Sequence, residues 1–276
     1  MKMKIMSLAN AKKDEIWLPV QFSEPLRPDL IKKAVLAVQN NSRQAYGATL
    51  LAGKKVSASI SKRRRDYKTC YGHGIARTPR KIMSKRGMRM NWVGAFAPNT
   101  VGGRRAHPPH PDKDWSWKLN KKERRKAIRS AISATIIKEI VANRGHKLPA
   151  NFPFFVESNI ESLAKTKEAI AALDKLGFGD ELVRIDDIRI RAGRGKMRGR
   201  RYRIKKGPLI VVSGKCKLMD AANNIRGIDV VAVDMLNAEL LAPGCDYGRL
   251  AIFTEAAVKR LETEKLFTDE HKVEKK

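Results

Sequence analysis

The 276 residues carry 58 Lys and Arg against 28 Asp and Glu, a net charge of +30, with 42% apolar and 6% aromatic residues. That surplus exceeds what solubility needs and calls for a polyanionic partner, while the apolar fraction is enough to give part of the chain a core. The three cysteines, Cys70, Cys216 and Cys245, are odd in number and irregularly spaced, which fits a reducing cytoplasm better than a disulfide framework.

Met3 to Leu8 and Glu15 to Val20 read as a short hairpin with a polar turn at Asn10 to Asp14. Pro28 opens a helix whose apolar face is Leu30, Ile31, Ala34, Val35 and Val38. The pattern then stops from Tyr46 to Trp117. Between Lys54 and His110 stand Lys54, Lys55, Lys62, Arg63, Arg64, Arg65, Lys68, Arg77, Arg80, Lys81, Lys85, Arg86, Arg89, Arg104 and Arg105, with Asp66 the only carboxylate. Fixing a backbone costs roughly 1–2 kcal/mol per residue, so ordering about sixty residues without an apolar core needs tens of kcal/mol from a partner. A connection this long is functional or disordered, and its sign selects a polyanion. Trp92 to Val101 is a charge-free patch within it.

Periodicity returns at Asn120, an expected cap with Glu123 completing a capping box, for a helix that runs to Gly145. Phe152 to Val156 reads as a buried strand, and Leu163 to Leu176 as a helix ended by Gly177. Leu182 to Ile190 is expected to be another strand. A second basic loop, 189–207, follows, with Arg189, Arg191, Arg194, Lys196, Arg198, Arg200, Arg201, Arg203, Lys205 and Lys206 and no acidic residue. From Pro208, strands at Leu209 to Val212, Ile228 to Val233 and Leu250 to Phe253 alternate with helices, the last capped by Thr254. The expected class is therefore α/β: an open, mostly parallel sheet covered by helices, Rossmann-like, with a very long basic loop inserted between two helices. Its globular body is 1–45 with 118–276, and its extended loop is 46–117. The polar tail Asp269 to Lys276 is expected to fray.

Competing motifs are weaker than the charge. Gly193, Gly195 and Gly199 miss the dinucleotide spacing, and Cys216 after Gly214-Lys215 stands where a P-loop needs Ser or Thr, so no cofactor is expected. Cys70 with His73, and His107 with His110, are two pairs that could close a zinc site, but His107 and His110 among prolines equally suit contacts to RNA. The expectation is no metal. Asp186, Asp187, Asp229 and Asp234 are carboxylates without an assembled catalytic constellation, and are read as helix caps or partners of the arginine surplus. Tyr67, Tyr71, Trp92 and Phe96 are spaced too irregularly for a core and could stack on unpaired bases. RNA is favoured over DNA because no basic recognition helix, finger spacing or heptad run occurs. An RNA-processing enzyme and a DNA compactor are the alternatives. No export signal opens the chain, and no apolar run reaches the roughly twenty residues of a membrane span, so no membrane is expected.

Ser42 to Gly47 (SRQAYG), Gly102 to Pro109 (GGRRAHPP), Arg191 to Arg201 (RAGRGKMRGRR) and Leu241 to Glu255 (LAPGCDYGRLAIFTE), with Asn120 to Ala134 and Thr166 to Ala172, together resemble one family. It is the family of ribosomal protein four of the large subunit, in its archaeal form. The resemblance implies a structural, non-enzymatic constituent of the cytoplasmic ribosome that binds large-subunit ribosomal RNA early in assembly and contacts several of its domains. It also implies neighbouring large-subunit proteins as partners, and a long loop whose tip forms part of the polypeptide exit tunnel wall and meets the nascent chain. Carried onto this sequence, the RNA-binding set is Lys54, Lys55, Lys62 to Arg65, Lys68, Arg77, Arg89, Arg104, Arg105 and His107, with Arg191, Arg194, Lys196, Arg198, Arg200, Arg201 and Arg203. The tip is placed around Arg77 to Met88, with Arg80, Lys81, Lys85 and Arg86 lining the tunnel.

Overall fold

A computed structural model describes residues 2–87 and 89–270. Met88, at the end of the expected tip, and the expected tail beyond Glu270 lie outside the described residues. One compact unit spans Arg43–Trp115; the remaining described residues form the other.

In the larger unit β1 (Lys2–Met6) pairs antiparallel with β2 (Lys12–Trp17) and parallel with β5 (Phe155–Val156). A second, all-parallel ladder runs in the order β10 (Ala251–Phe253), β8 (Leu209–Val212), β9 (Asp229–Ala232). A single bridge, Val156 to Thr254, joins the two. The single open sheet expected from the strand pattern is thus two three-stranded ladders, one mixed and one parallel. The break has a local cause: β5 is two residues long and follows Pro153, which has no N–H to extend a ladder.

Side chains alternate across these strands because the strand period is two. Leu209, Val211, Ala251 and Phe253 enter one apolar cluster with α1 (Pro28–Asn41), α2 (Lys121–Ala134), α7 (Ala238–Leu241) and α8 (Glu255–Thr263). Ile210, Val212, Leu250 and Ile252 enter the other with α4 (Thr166–Leu173), α5 (Gly179–Asp186) and α6 (Lys217–Ala222). Both faces are therefore covered, which is why β8 is buried at all four positions and reads as an unbroken apolar run.

Three local expectations change. The helix from Asn120 is two pieces, α2 and α3 (Lys138–Asn143), because Thr135 caps the first and Ile137 adopts an extended backbone; Gly145, at φ 93°, ends the second. Asn120 makes no side-chain cap, and Glu123 reaches across to Lys33 on α1 at 3.0 Å rather than back to the cap. Leu182 to Ile190 is not a strand: α5 occupies Gly179–Asp186, with Ile185 buried and Val183 exposed at helical spacing, and only Arg189–Ile190 is extended. The last helix starts as expected, with Thr254 Oγ1 accepting the Ala257 N–H at 3.2 Å.

The smaller unit holds a hairpin, β3 (Arg80–Arg86) with β4 (Arg89–Gly94), in antiparallel register from Arg80 with Gly94 to Arg86 with Arg89. Among its described apolar residues only Cys70 and Ala95 are buried. A hairpin here is a departure from a loop without internal order, and charge is what fills the place of a core. Arg64 and Arg77 lie over Tyr71, Lys68 and Lys85 over Tyr67, Arg80 over Trp92 and Arg104 over Phe96, at 4.9–5.9 Å from the ring centres. Each such pair contributes about 0.5–1 kcal/mol at an exposed site. The repulsion between cations is thereby partly converted into attraction to the rings.

Candidate nucleic-acid interface

The second basic loop is a small arm on a β-stem. β6 (Arg189–Ile190) pairs with β7 (Tyr202–Arg203), and the Arg191 N–H donates to the Arg201 carbonyl at 2.8 Å. At its end the Gly195 carbonyl accepts from the N–H groups of Arg198 and Arg200, both at 3.1 Å. Arg194, Lys196, Arg198, Arg200, Arg201 and Arg203 are exposed and Arg191 half-buried; no ion pair among the described residues engages any of the seven. Arg191 Nε donates to the Arg200 carbonyl at 3.1 Å and Arg201 lies over the Tyr202 ring, but with no carboxylate paired to any of the seven, the arm presents a surface for phosphate.

The stem is tied to the body by charges used for structure. Asp187 takes Lys205 at 2.7 Å and Arg189 at 3.5 Å, and the hydrogen bond from Lys205 holds its carboxyl below the usual range. Arg184 donates to the Lys206 carbonyl at 2.8 Å and closes twice, at 2.7 Å, on the fully buried Glu181. Glu181 also accepts from His146 Nδ1 at 2.7 Å and from the Lys147 N–H at 2.9 Å. Burial alone would raise the Glu181 pKa, but these donors outweigh it and lower it; burial lowers that of His146. Beside this cluster the cations Arg144, Arg184, Arg189, Arg203, Lys205 and Lys206 line an open cleft of about 480 Å³. Arg144 and Arg184 were not legible as site residues, since Arg144 lies at the end of a helical pattern and Arg184 in a stretch that reads as a strand, both outside any charge run.

The carboxylates expected to pair with arginine do so. Asp229 holds Arg249 at 2.6 Å and Lys206 at 3.0 Å, Asp186 holds Arg226 at 2.9 Å, and Asp234 lies 3.6 Å from Arg260.

In the unit Arg43–Trp115, Lys54, Lys55, Lys62 to Arg65, Arg77, Arg105 and His107 are exposed, and Lys68 and Arg104 half-buried. Asp66 turns the Lys62–Arg65 run by accepting from Ser61 Oγ and the Tyr67 N–H, both at 2.7 Å. Of the four expected tunnel residues, only Lys85 and Arg86 adjoin the hairpin turn at Gly87. Arg80 stands at the other end of β3, half-buried, donating to Cys70 Sγ and the Thr78 carbonyl, both at 3.2 Å. Conversely Arg89, placed by sequence with the RNA-gripping limbs, faces Arg86 across the turn. Cys70 is thus engaged by Arg80, and no group of three or more His, Cys, Asp or Glu among the described residues is placed to hold a metal. No described helix is long and apolar enough to cross a membrane.

Residues 16–264 match the ribosomal protein L4/L1 family. The chain is 47% identical over 268 residues to the large ribosomal subunit protein uL4 of Nanoarchaeum equitans, spanning 97% of this chain and 100% of that protein. It is 46% identical over 259 residues to the protein of the same name from Methanococcoides burtonii, spanning 94% and 96%. The counterpart in Archaeoglobus fulgidus is 43% identical over 262 residues, spanning 95% and 98%. With the match running through the body and both basic arms, the chain belongs to the ribosomal protein L4/L1 family.

Proposed function

We propose that this protein is a structural constituent of the large ribosomal subunit, acting in the cytoplasm by binding large-subunit ribosomal RNA and catalysing no reaction of its own. The observation that carries this is the 46–47% identity to archaeal uL4 proteins over nearly the full length, and the two strongly cationic arms supply its physical basis. RNA contacts fall to the cations of both arms, Lys54 to Arg65, Arg104 and Arg105, and Arg191 to Arg203. The body supplies a folded anchor, so the protein joins RNA segments early in assembly and contacts several RNA domains and neighbouring large-subunit proteins.

The hairpin β3–β4 is the part of the long arm assigned to the exit tunnel wall. Lys85 and Arg86, beside its turn, are the residues nearest the nascent polypeptide in this assignment, with Lys81 behind them and Arg80 serving mainly to hold the hairpin. Large-subunit particles assembled with the protein carrying a photo-crosslinker at Lys85 or, in a second preparation, at Arg198, and a stalled nascent chain, test both halves. The expected result is a crosslink to the nascent chain from Lys85 and to RNA from Arg198. Failure of the protein to enter the particle overturns the assignment, and RNA crosslinks without nascent-chain crosslinks remove its tunnel half.

A further inference from the structure

The four rings that the sequence offered for base stacking each already carry a cation of their own chain. A different feature of the same unit has apolar surface to offer. Two segments, 48–54 and 103–110, lie against each other and are fastened at both ends. At one end the Ala48 N–H donates to the Pro109 carbonyl at 2.9 Å; at the other Gly53, at φ +70°, lets the backbone approach so closely that a Cβ there would stand 2.6 Å from Arg104 Cα. Between the fasteners is a hollow of about 260 Å³. It is lined by Ala48, Leu50, Ala52, Ala106, Pro108 and Pro109 and by the cations Lys54, Arg104 and Arg105. Leu50 is 68% exposed, and no ion pair among the described residues reaches any of the three cations.

An apolar hollow ringed by cations matches one kind of occupant. A nucleotide brings a flat apolar heterocycle and an anion on a short tether, and proline and aliphatic faces accept a base without selecting its identity. An apolar side chain from a neighbouring protein would fill the hollow but leave Lys54 and Arg105 without an anion, and give Arg104 nothing beyond the Phe96 ring it already covers. We propose that this hollow takes a single unstacked nucleobase of ribosomal RNA, whose flanking phosphates are held by Lys54, Arg104 and Arg105. This deepens the RNA-binding function proposed above and rests on it.

The test uses the full-length protein and archaeal large-subunit RNA transcripts substituted with 4-thiouridine or 6-thioguanosine. After irradiation, adducts are expected on residues 48–52 or 106–110. Filling the hollow with Ala52→Phe, or independently Ala106→Phe, is expected to abolish those adducts and weaken binding roughly 10- to 100-fold, as loss of one stacked base does. The salt dependence should stay unchanged, because the phosphate contacts remain. Lys54→Ala should do the reverse, lowering the salt slope by about 0.7–0.9 while keeping the adducts. Absence of adducts from both transcripts, or wild-type affinity in both filled variants, overturns the base site while leaving RNA binding intact. Wild-type protein that prefers large-subunit RNA no more than a control RNA of equal length overturns the functional proposal itself, and the base site with it.

Discussion

Arg249 and Asp229 form an ion pair of 2.6 Å in which the guanidinium is wholly buried and the carboxylate about two-thirds buried. The same guanidinium donates to the carbonyls of Gly207 and Leu240, at 2.8 and 2.9 Å, so one side chain joins β9, α7 and the root of the second arm. In a chain with this cation surplus, one arginine is withdrawn from RNA altogether and spent on holding the arm in place. Burial pushes the Arg249 pKa down; burial alone would raise that of Asp229, but Arg249 and Lys206 together hold it below its usual value.

Asp229→Ala should therefore destabilise the body by about 3 kcal/mol, since it strands a buried cation. Arg249→Met should have a smaller effect, because Asp229 keeps Lys206 at 3.0 Å and methionine fills the vacated space. Urea unfolding midpoints of the two variants check the order. Equal midpoints would show that the pair carries no desolvation penalty.

Acidification acts through His146 and Glu181. Both folded pKa values lie below their ordinary 6.5 and 4.5, so the unfolded chain takes up protons first and stability is lost as pH falls. The unfolding midpoint should be flat between pH 7 and 8, start to fall below 6.5 as the unfolded histidine charges, and fall further below 4.5. His146→Gln should erase the first descent and keep the second. A wild-type midpoint that rises on acidification from pH 7 to 5.5 would contradict the sign.

The long arm should be better ordered in the free protein than its composition suggests, and its rings are the reason. Tyr71→Leu keeps the apolar bulk but removes the electron-rich face under Arg64 and Arg77. At about 0.5–1 kcal/mol per pair, tryptic cleavage within 54–105 should quicken roughly two- to fivefold per pair lost, with the body's unfolding unchanged. Unaltered cleavage would mean that the rings hold nothing.

Replacing Arg194, Arg198 and Arg201 together with alanine should lower the slope of log affinity against log salt by about 2–3 for large-subunit RNA. Unfolding stability should not change, because none of the three makes an ion pair among the described residues. A constant slope with reduced stability would assign the arm to the fold rather than to phosphate.

The sequence by itself determined whatever rests on local pattern. Alternating strands and helices after Pro208, the Thr254 cap and the strongly cationic runs at 54–105 and 189–206 depend on neighbours a few residues apart, and so did the class of partner. Leu182 to Ile190 was misread because a short apolar stretch fits a strand or a buried helix face, and only packing against α4 and α6 selects the helix. What tertiary structure alone decided is which cations are available. Arg80, Arg184 and Arg249 look like their neighbours in composition, yet their partners are 10, 22 and 42 residues away, at Cys70, Lys206 and Gly207. A charge's use depends on what lies within about 3 Å of it, and the folded chain alone brings such partners to that distance.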